Sequence, residues 1–275
     1  MKRFILLLLS IVCILSCSKK ADKNTEIKIS PNGQLHSIKV DDLTKEEEIP
    51  LSSLFKTVKI IPLETNKESL IASLDNMQVH KEIIYILDKK LYKLFLFDKT
   101  GKFLRTIGRV GDAPGEYVSL EDYSIDTKND VIYLLDRQTK KINKHKIPSG
   151  EYISSLKIGL KDTRVNSLQY NQGKIYCTTV PYQDFGKNSY MLQIIDANTG
   201  QLEGKLLNSS DYNKGWNGPI SRSNGFFFSK TSDQPKFVQI FMDTVMQIDK
   251  GKVSPILVLN TKKWNVFMDN KSKKI

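Results

Sequence analysis

Ile83-Ile84-Tyr85-Ile86-Leu87-Asp88 and Val131-Ile132-Tyr133-Leu134-Leu135-Asp136 share one pattern: a short apolar strand with tyrosine at its third position and aspartate at its end. Each leads into a second strand, Lys93–Asp98 in one case and Lys141–Lys146 in the other. A glycine turn follows (Lys99-Thr100-Gly101-Lys102, or Pro148-Ser149-Gly150), and then a third strand, 103–108 or 151–159. A third copy runs from Lys174-Ile175-Tyr176-Cys177 through Tyr190–Asp196, turns at 197–200 and closes with 201–207. A weaker fourth copy comprises 237–241, 245–249 and 256–260.

Tyr85, Tyr133 and Tyr176 lie 48 and 43 residues apart. A further strand is expected ahead of each copy, near 74–79, 123–126, 167–170 and 225–230. Four strands in roughly 40–50 residues is the size of a propeller blade. Turn residues at even spacing and β-branched and aromatic strands agree with this. The pattern therefore predicts an all-β fold, a β-propeller of four-stranded antiparallel blades over 49–260. A sandwich with meander connections is the alternative, but it does not require the tyrosine-bearing strand to recur at one place in each unit.

Gly101 to Tyr117 reads GKFLRTIGRVGDAPGEY. This resembles an NHL-type propeller repeat, in which a Gly-x-Phe strand leads into a Gly-rich crossing. The wider chain resembles the six-bladed β-propeller lipoproteins of Bacteroidetes. The resemblance rests on Ile61-Pro62-Leu63-Glu64-Thr65, Leu70-Ile71, Tyr85-Ile86-Leu87-Asp88, Gly111-x-x-Pro114-Gly115-Glu116-Tyr117 and Asp243-Thr244-Val245. It implies a fold and no particular activity. It also implies that 57–63 completes the last blade. Only four blades are countable, so a closed four-bladed ring and an incomplete ring shortened from six blades both stay open.

The chain begins with a basic pair, Lys2 and Arg3, and a run from Phe4 to Leu15 that is apolar apart from Ser10. That run is too short for a membrane span, which needs roughly 20 residues, and it suits a signal peptide over 1–16. It ends in Ile14-Leu15-Ser16-Cys17, which resembles a bacterial lipobox. The resemblance implies cleavage before Cys17, acylation of that cysteine and anchoring to a lipid bilayer. Residues 17–48 are polar and lack a sustained period, so they read as a lipidated flexible tether. Residues 261–275 read as a polar tail. The implied address is the bacterial cell envelope, at the outer membrane, facing the periplasm or the cell surface.

The 275 residues carry 42 Lys and Arg against 30 Asp and Glu, a net charge of +12. Loss of Lys2 and Arg3 with the leader lowers this to +10. The lysines are scattered, which suits a solvated surface, and export argues against a nucleic-acid partner. After processing, Cys17 and Cys177 remain, and an acylated Cys17 leaves Cys177 without a disulfide partner.

Function on such scaffolds sits on long loops of one face. In a propeller, the loop between the second and third strands of a blade shares a face with the crossing to the next blade. The candidate ligand-binding residues there are Arg105, Arg109, Asp112, Glu116, Tyr117, Arg137, Tyr182, Asp184 and Trp216. Arg and Tyr suit a carboxylate or sugar hydroxyls, and Trp suits stacking on a sugar ring. The plainer reading is that Glu116 bonds backbone amides and Tyr117 packs between blades. Asp88, Asp98, Asp136 and Asp196 recur at strand ends and read as turn caps. His36, His80 and His145 lack metal-ligand spacing, so no metal or cofactor is expected. The sequence thus points to a binding or scaffold module for a glycan, peptide or protein. A lyase or hydrolase acting on a glycan or peptide at the propeller centre is the alternative; no catalytic residue can be named for it.

Overall fold

A computed structural model of the chain describes residues 35–39, 50–161, 163–181, 189–212, 225–229, 232–239 and 242–260. Two helical turns, Leu51–Leu54 and Ser209–Tyr212, accompany seventeen strands among the described residues. A short strand, β1 (His36–Lys39), comes first. Blade one comprises β2 (Asn76–His80), β3 (Ile83–Asp88), β4 (Lys93–Asp98) and β5 (Phe103–Thr106). Blade two comprises β6 (Leu120–Asp126), β7 (Val131–Asp136), β8 (Lys141–Lys146) and β9 (Tyr152–Lys157). Blade three comprises β10 (Thr163–Asn171), β11 (Lys174–Pro181), β12 (Tyr190–Asp196) and β13 (Leu202–Asn208). Blade four comprises β14 (Phe226–Ser229), β15 (Ser232–Phe237), β16 (Thr244–Asp249) and β17 (Lys252–Asn260). Within each blade neighbouring strands pair antiparallel in sequence order. The four blades are arranged in a ring, so the fold is a four-bladed β-propeller.

The repeat falls into register as well as into strands. Gln78 pairs with Tyr85, Ser124 with Tyr133 and Gln169 with Tyr176, so the three tyrosines occupy one place in three sheets. Strand periodicity then sends alternate residues of each inner strand to opposite neighbours. Tyr123 and Ile125 of β6 pack with Tyr85, Leu87, Leu94 and Leu96 of blade one. Leu168 and Val165 of β10 pack with Tyr133, Leu135 and Ile142 of blade two. Tyr176, Leu192 and Ile194 pack with Phe237, Met246 and Ile248 of blade four. The core thus consists of apolar layers between blades.

The recurring aspartates do two related jobs. Asp88 accepts the N–H groups of Ala72, Ser73 and Leu91, and Asp136 those of Val118, Ser119 and Thr139. Each therefore fastens the crossing segment that enters its own blade. Asp98 and Asp196 instead cap the turn into the fourth strand, bonding Thr100 and Lys102, or Asn198 and Thr199.

Two expected placements are corrected. Residues 57–63 form no strand of the last blade. Ile61, Leu63 and Ile71 instead cover Ile84, Ile86, Phe95 and Phe97 on a face of blade one. Glu64 fixes them there, its amide donating to Gly101 O at 2.8 Å and its carboxylate accepting the Phe103 N–H at 2.9 Å. Gly101 is obligatory at this crossing. Its φ is +89°, and a Cβ would lie 2.0 Å from Pro62 O. The strand that joins the last blade is β1, parallel to β17, and it lies inside the segment expected to be tether. In blade four the second strand is Ser232–Phe237 rather than 237–241. Beyond Phe237 the Met242 N–H donates to Gln239 O at 3.0 Å.

Candidate functional site

The crossing from blade one to blade two forms the wall of a polar cleft. The cleft holds about 280 Å³ between the 111–116 loop and Asp136, Lys141, Asn143, Tyr152 and Ser155. The loop is built around Glu116. Its carboxylate accepts the Ala113 N–H at 3.0 Å and the Arg109 Nε–H. The Ala113 amide first, and then the Arg109 guanidinium, hold the carboxyl below its ordinary pKa. Asn143 Nδ2 donates to Glu116 O at 2.8 Å, and Ser155 Oγ donates to Asn143 Oδ1 at 2.6 Å. The Tyr152 hydroxyl lies 2.9 Å from Ser155 Oγ. Gly115 makes this packing feasible: φ is +84°, and a Cβ would lie 2.7 Å from the Tyr152 ring. Burial works against the Asp136 carboxylate, yet the Val118 N–H and its Thr139 contacts outweigh it and lower the pKa.

A second cluster lies at the start of the inner strand β6. Glu121 accepts from Lys89 Nζ at 3.1 Å and from Arg137 Nη1 at 2.7 Å. It joins the loops between the second and third strands of blades one and two. Directly after it, Asp122 is buried, accepting the Leu168 N–H and Asn76 Nδ2, each at 3.0 Å. Burial pushes its carboxyl up to about 6.

The candidate residues therefore divide. Glu116 and Arg109 meet each other in the 111–117 loop, with Asp112 exposed beside them. Arg137 belongs to the Glu121 cluster. Arg105 donates to Ser149 O in a turn of blade two rather than to the 111–117 loop. Tyr117 is 1% exposed, lies in the layer between blades one and two and donates to Tyr92 O at 3.0 Å. Its ring packs between the two blades. Tyr182, Asp184 and Trp216 lie outside the described residues. Sequence reasoning missed Lys89, Glu121, Asn143 and Asp122. Only Asp122 carried a signal, as an acid alternating with small and apolar residues in a strand.

Among the described residues no group of three His, Cys, Asp or Glu side chains could hold a metal ion. The nearest approach to an acid–base pair is His80 Nε2, 3.2 Å from Asp130 Oδ1. Lys81 Nζ also bonds that carboxylate, at 2.6 Å; His80 ends β2 and Lys81 begins the hairpin turn that follows. The Lys81 ammonium first, and then His80, lower the Asp130 pKa. This is an inter-blade clamp at the turns between first and second strands, not a central pocket. Cys177 is fully buried in β11, and burial pushes its thiol up to about 12.

The fold and these loops define a four-bladed β-propeller with a polar cleft beside its first crossing. The chain belongs to the family described as Domain of unknown function (DUF4934), which matches residues 35–275. No curated protein matches it significantly. One similar solved structure is a Bacteroides fragilis NCTC 9343 protein inferred to be exported. It has a TM-score of 0.66 at 16% identity over 83% of this chain and 61% of that one. Another is a DUF4221 family member from Bacteroides vulgatus ATCC 8482, with a TM-score of 0.50 at 13% identity over 71% and 60%. The chain spans about six-tenths of the length of both. At these identities the likeness concerns the fold.

Proposed function

We propose that the protein is an exported binding or scaffold module, held at the bacterial outer membrane by acyl chains on Cys17. Its partner, a glycan, peptide or protein, is met through the loop face around the 111–117 crossing. The observation that carries this reading is how the ionisable groups of that face are used. Glu116, Glu121 and Asp136 each serve to hold loops in place. What they support is a rigid, polar concavity with Lys141, Asn143, Tyr152 and Ser155 in its wall, which suits recognition more than proton transfer. The fold shared with a Bacteroides protein inferred to be exported supports the address. The Gly101–Tyr117 segment supports kinship with NHL-type, six-bladed propeller lipoproteins.

The test is an array of glycans and peptides, some acidic and some neutral, probed with the leaderless chain. Saturable binding to one class is expected. It should weaken about tenfold in Lys141→Ala, with unchanged thermal unfolding, since a charged hydrogen bond contributes on the order of 1.5 kcal/mol. Turnover of an arrayed glycan or peptide by the same preparation would replace this reading with an enzymatic one.

A further inference from the structure

Lys141 and Lys157 stand directly opposite each other on β8 and β9, one pair along from Asn143 and Ser155 on the same side of blade two. That side forms the cleft wall, and Lys141 lines the cleft. Both lysines are exposed, and neither ammonium meets an acceptor among the described residues. Like charges directly opposite one another destabilise a sheet. The nearby carboxylates do not answer them. Asp136, opposite Lys141 on β7, is taken up by the amides of Val118, Ser119, Gln138 and Thr139. Glu116 is taken up by Ala113 and Arg109. At the other end of the blades, by contrast, Lys81, Lys99, Lys146 and Lys174 each have a carboxylate partner.

The positions of the hydroxyl protons fix what else the cleft offers. Ser155 has one such proton, and it goes to Asn143 Oδ1. The Tyr152 hydroxyl therefore donates to Ser155 Oγ, which leaves the Tyr152 oxygen free to accept. Asp112 lines the cleft from the loop side, exposed, and its carboxylate has no partner among the described residues. Two unanswered cations thus share one cleft with two oxygen acceptors that lack donors.

We infer that the cleft binds an acidic sugar, its carboxylate or sulfate held between Lys141 and Lys157 and its ring hydroxyls donating to Tyr152 and Asp112. This rests on the recognition role proposed for the same cleft and narrows it to one ligand class. A neutral sugar leaves the lysine pair unanswered. An acidic peptide answers the lysines, but its amide donors are spread along the chain, whereas a sugar acid carries several hydroxyls and the anion on one ring. The cleft, at about 280 Å³, is near the lower limit of small-molecule sites, roughly 300 Å³, which suits a single ring.

The experiment titrates tetragalacturonate and a sulfated galactotetraose into the leaderless chain, each against its uncharged form (the methyl ester and the unsulfated sugar), with tetraglutamate alongside. At least one acidic sugar is expected to bind tenfold or more tightly than its uncharged form and than tetraglutamate. Lys157→Ala should lose most of that preference and melt no lower than the natural chain. Tyr152→Phe should weaken the charged and uncharged sugars alike, and Lys146→Ala, at the other end of the blade, should change nothing. Failure of both acidic sugars to outbind their uncharged forms would overturn the inference, as would tighter binding of tetraglutamate; a ligand found on the array would then leave the broader recognition role standing. No binding by any sugar or peptide, here or on the array, would remove both. A preference that survives Lys157→Ala, or falls equally in Lys146→Ala, would overturn the inference by assigning it to the net positive charge of the chain.

Discussion

Asp122 shows how one side chain can tie three blades together at an electrostatic cost. It sits on the inner strand of blade two, accepts Asn76 of blade one and accepts the Leu168 amide of blade three. Two hydrogen bonds do not offset complete burial, so its pKa rises from 3.8 to about 6. The folded state thus holds this proton more tightly than the unfolded chain does. The stabilisation is full below about pH 3.8 and is lost as pH rises through about 6, a change on the order of 3 kcal/mol. Asp88, Asp136, Asp196 and Glu116 have lowered pKa values, so they lose stability only at more acidic pH. Burial lowers the His145 pKa, a contribution of opposite sign in the same window, so the Asp122 effect is read as a difference. Relative to Asp122→Asn, the urea midpoint of the natural protein measured from pH 4.5 to 7.5 should fall progressively with rising pH, and a pH-independent difference between the two would remove Asp122 as the titrating group.

At the level of the element, β6 joins its neighbour through side chains instead of a backbone ladder. Asp122 and Ser124 are two residues apart, so the strand period turns both toward blade three. They accept the Leu168 and Tyr170 amides, which are also two apart on β10. Ser124 Oγ additionally accepts Gln169 Nε2 at 3.1 Å. The opposite positions, Tyr123 and Ile125, pack against blade one, and the Tyr123 hydroxyl donates to Tyr85 O. Ser124→Ala would leave the Tyr170 amide without its acceptor at a buried seam, at a cost of about 1–3 kcal/mol. Denaturant unfolding should show that loss, whereas Ser154→Ala on the outer strand β9 should change the midpoint little. Equal effects at the two sites would mean that the seam does not depend on this bond.

For the whole molecule, the ring is held by successive apolar layers, and its first blade is left with one flank partly uncovered. The proposed address is a property of the same scale, because the anchor at Cys17 lies outside the propeller. Several acyl chains suffice for stable anchoring at about 0.8 kcal/mol per buried CH₂. Cys17→Ala should abolish incorporation of labelled palmitate and shift the protein out of the membrane fraction. Retention of label in that variant would place the lipid elsewhere or remove it from the account.

Periodicity in the sequence was enough to determine the blades. β3, β4, β7, β8 and β12 have the expected limits, because short apolar strands ended by aspartate and glycine turns are specified locally. The turn-capping role of Asp98 and Asp196 is local in the same way, since each bonds residues two to four positions on. Tertiary structure alone decided what meets across blades. The Lys89–Glu121–Arg137 cluster, the Asn76–Asp122–Leu168 seam and the seating of Ile61 and Leu63 on blade one all join residues 16 or more positions apart. No repeat within one sheet encodes them. It likewise took the packed ring to show that Tyr117 belongs to the core while Met77 and Val79 do not, because burial depends on which neighbour a face is given, and the strand pattern specifies only that the face is apolar.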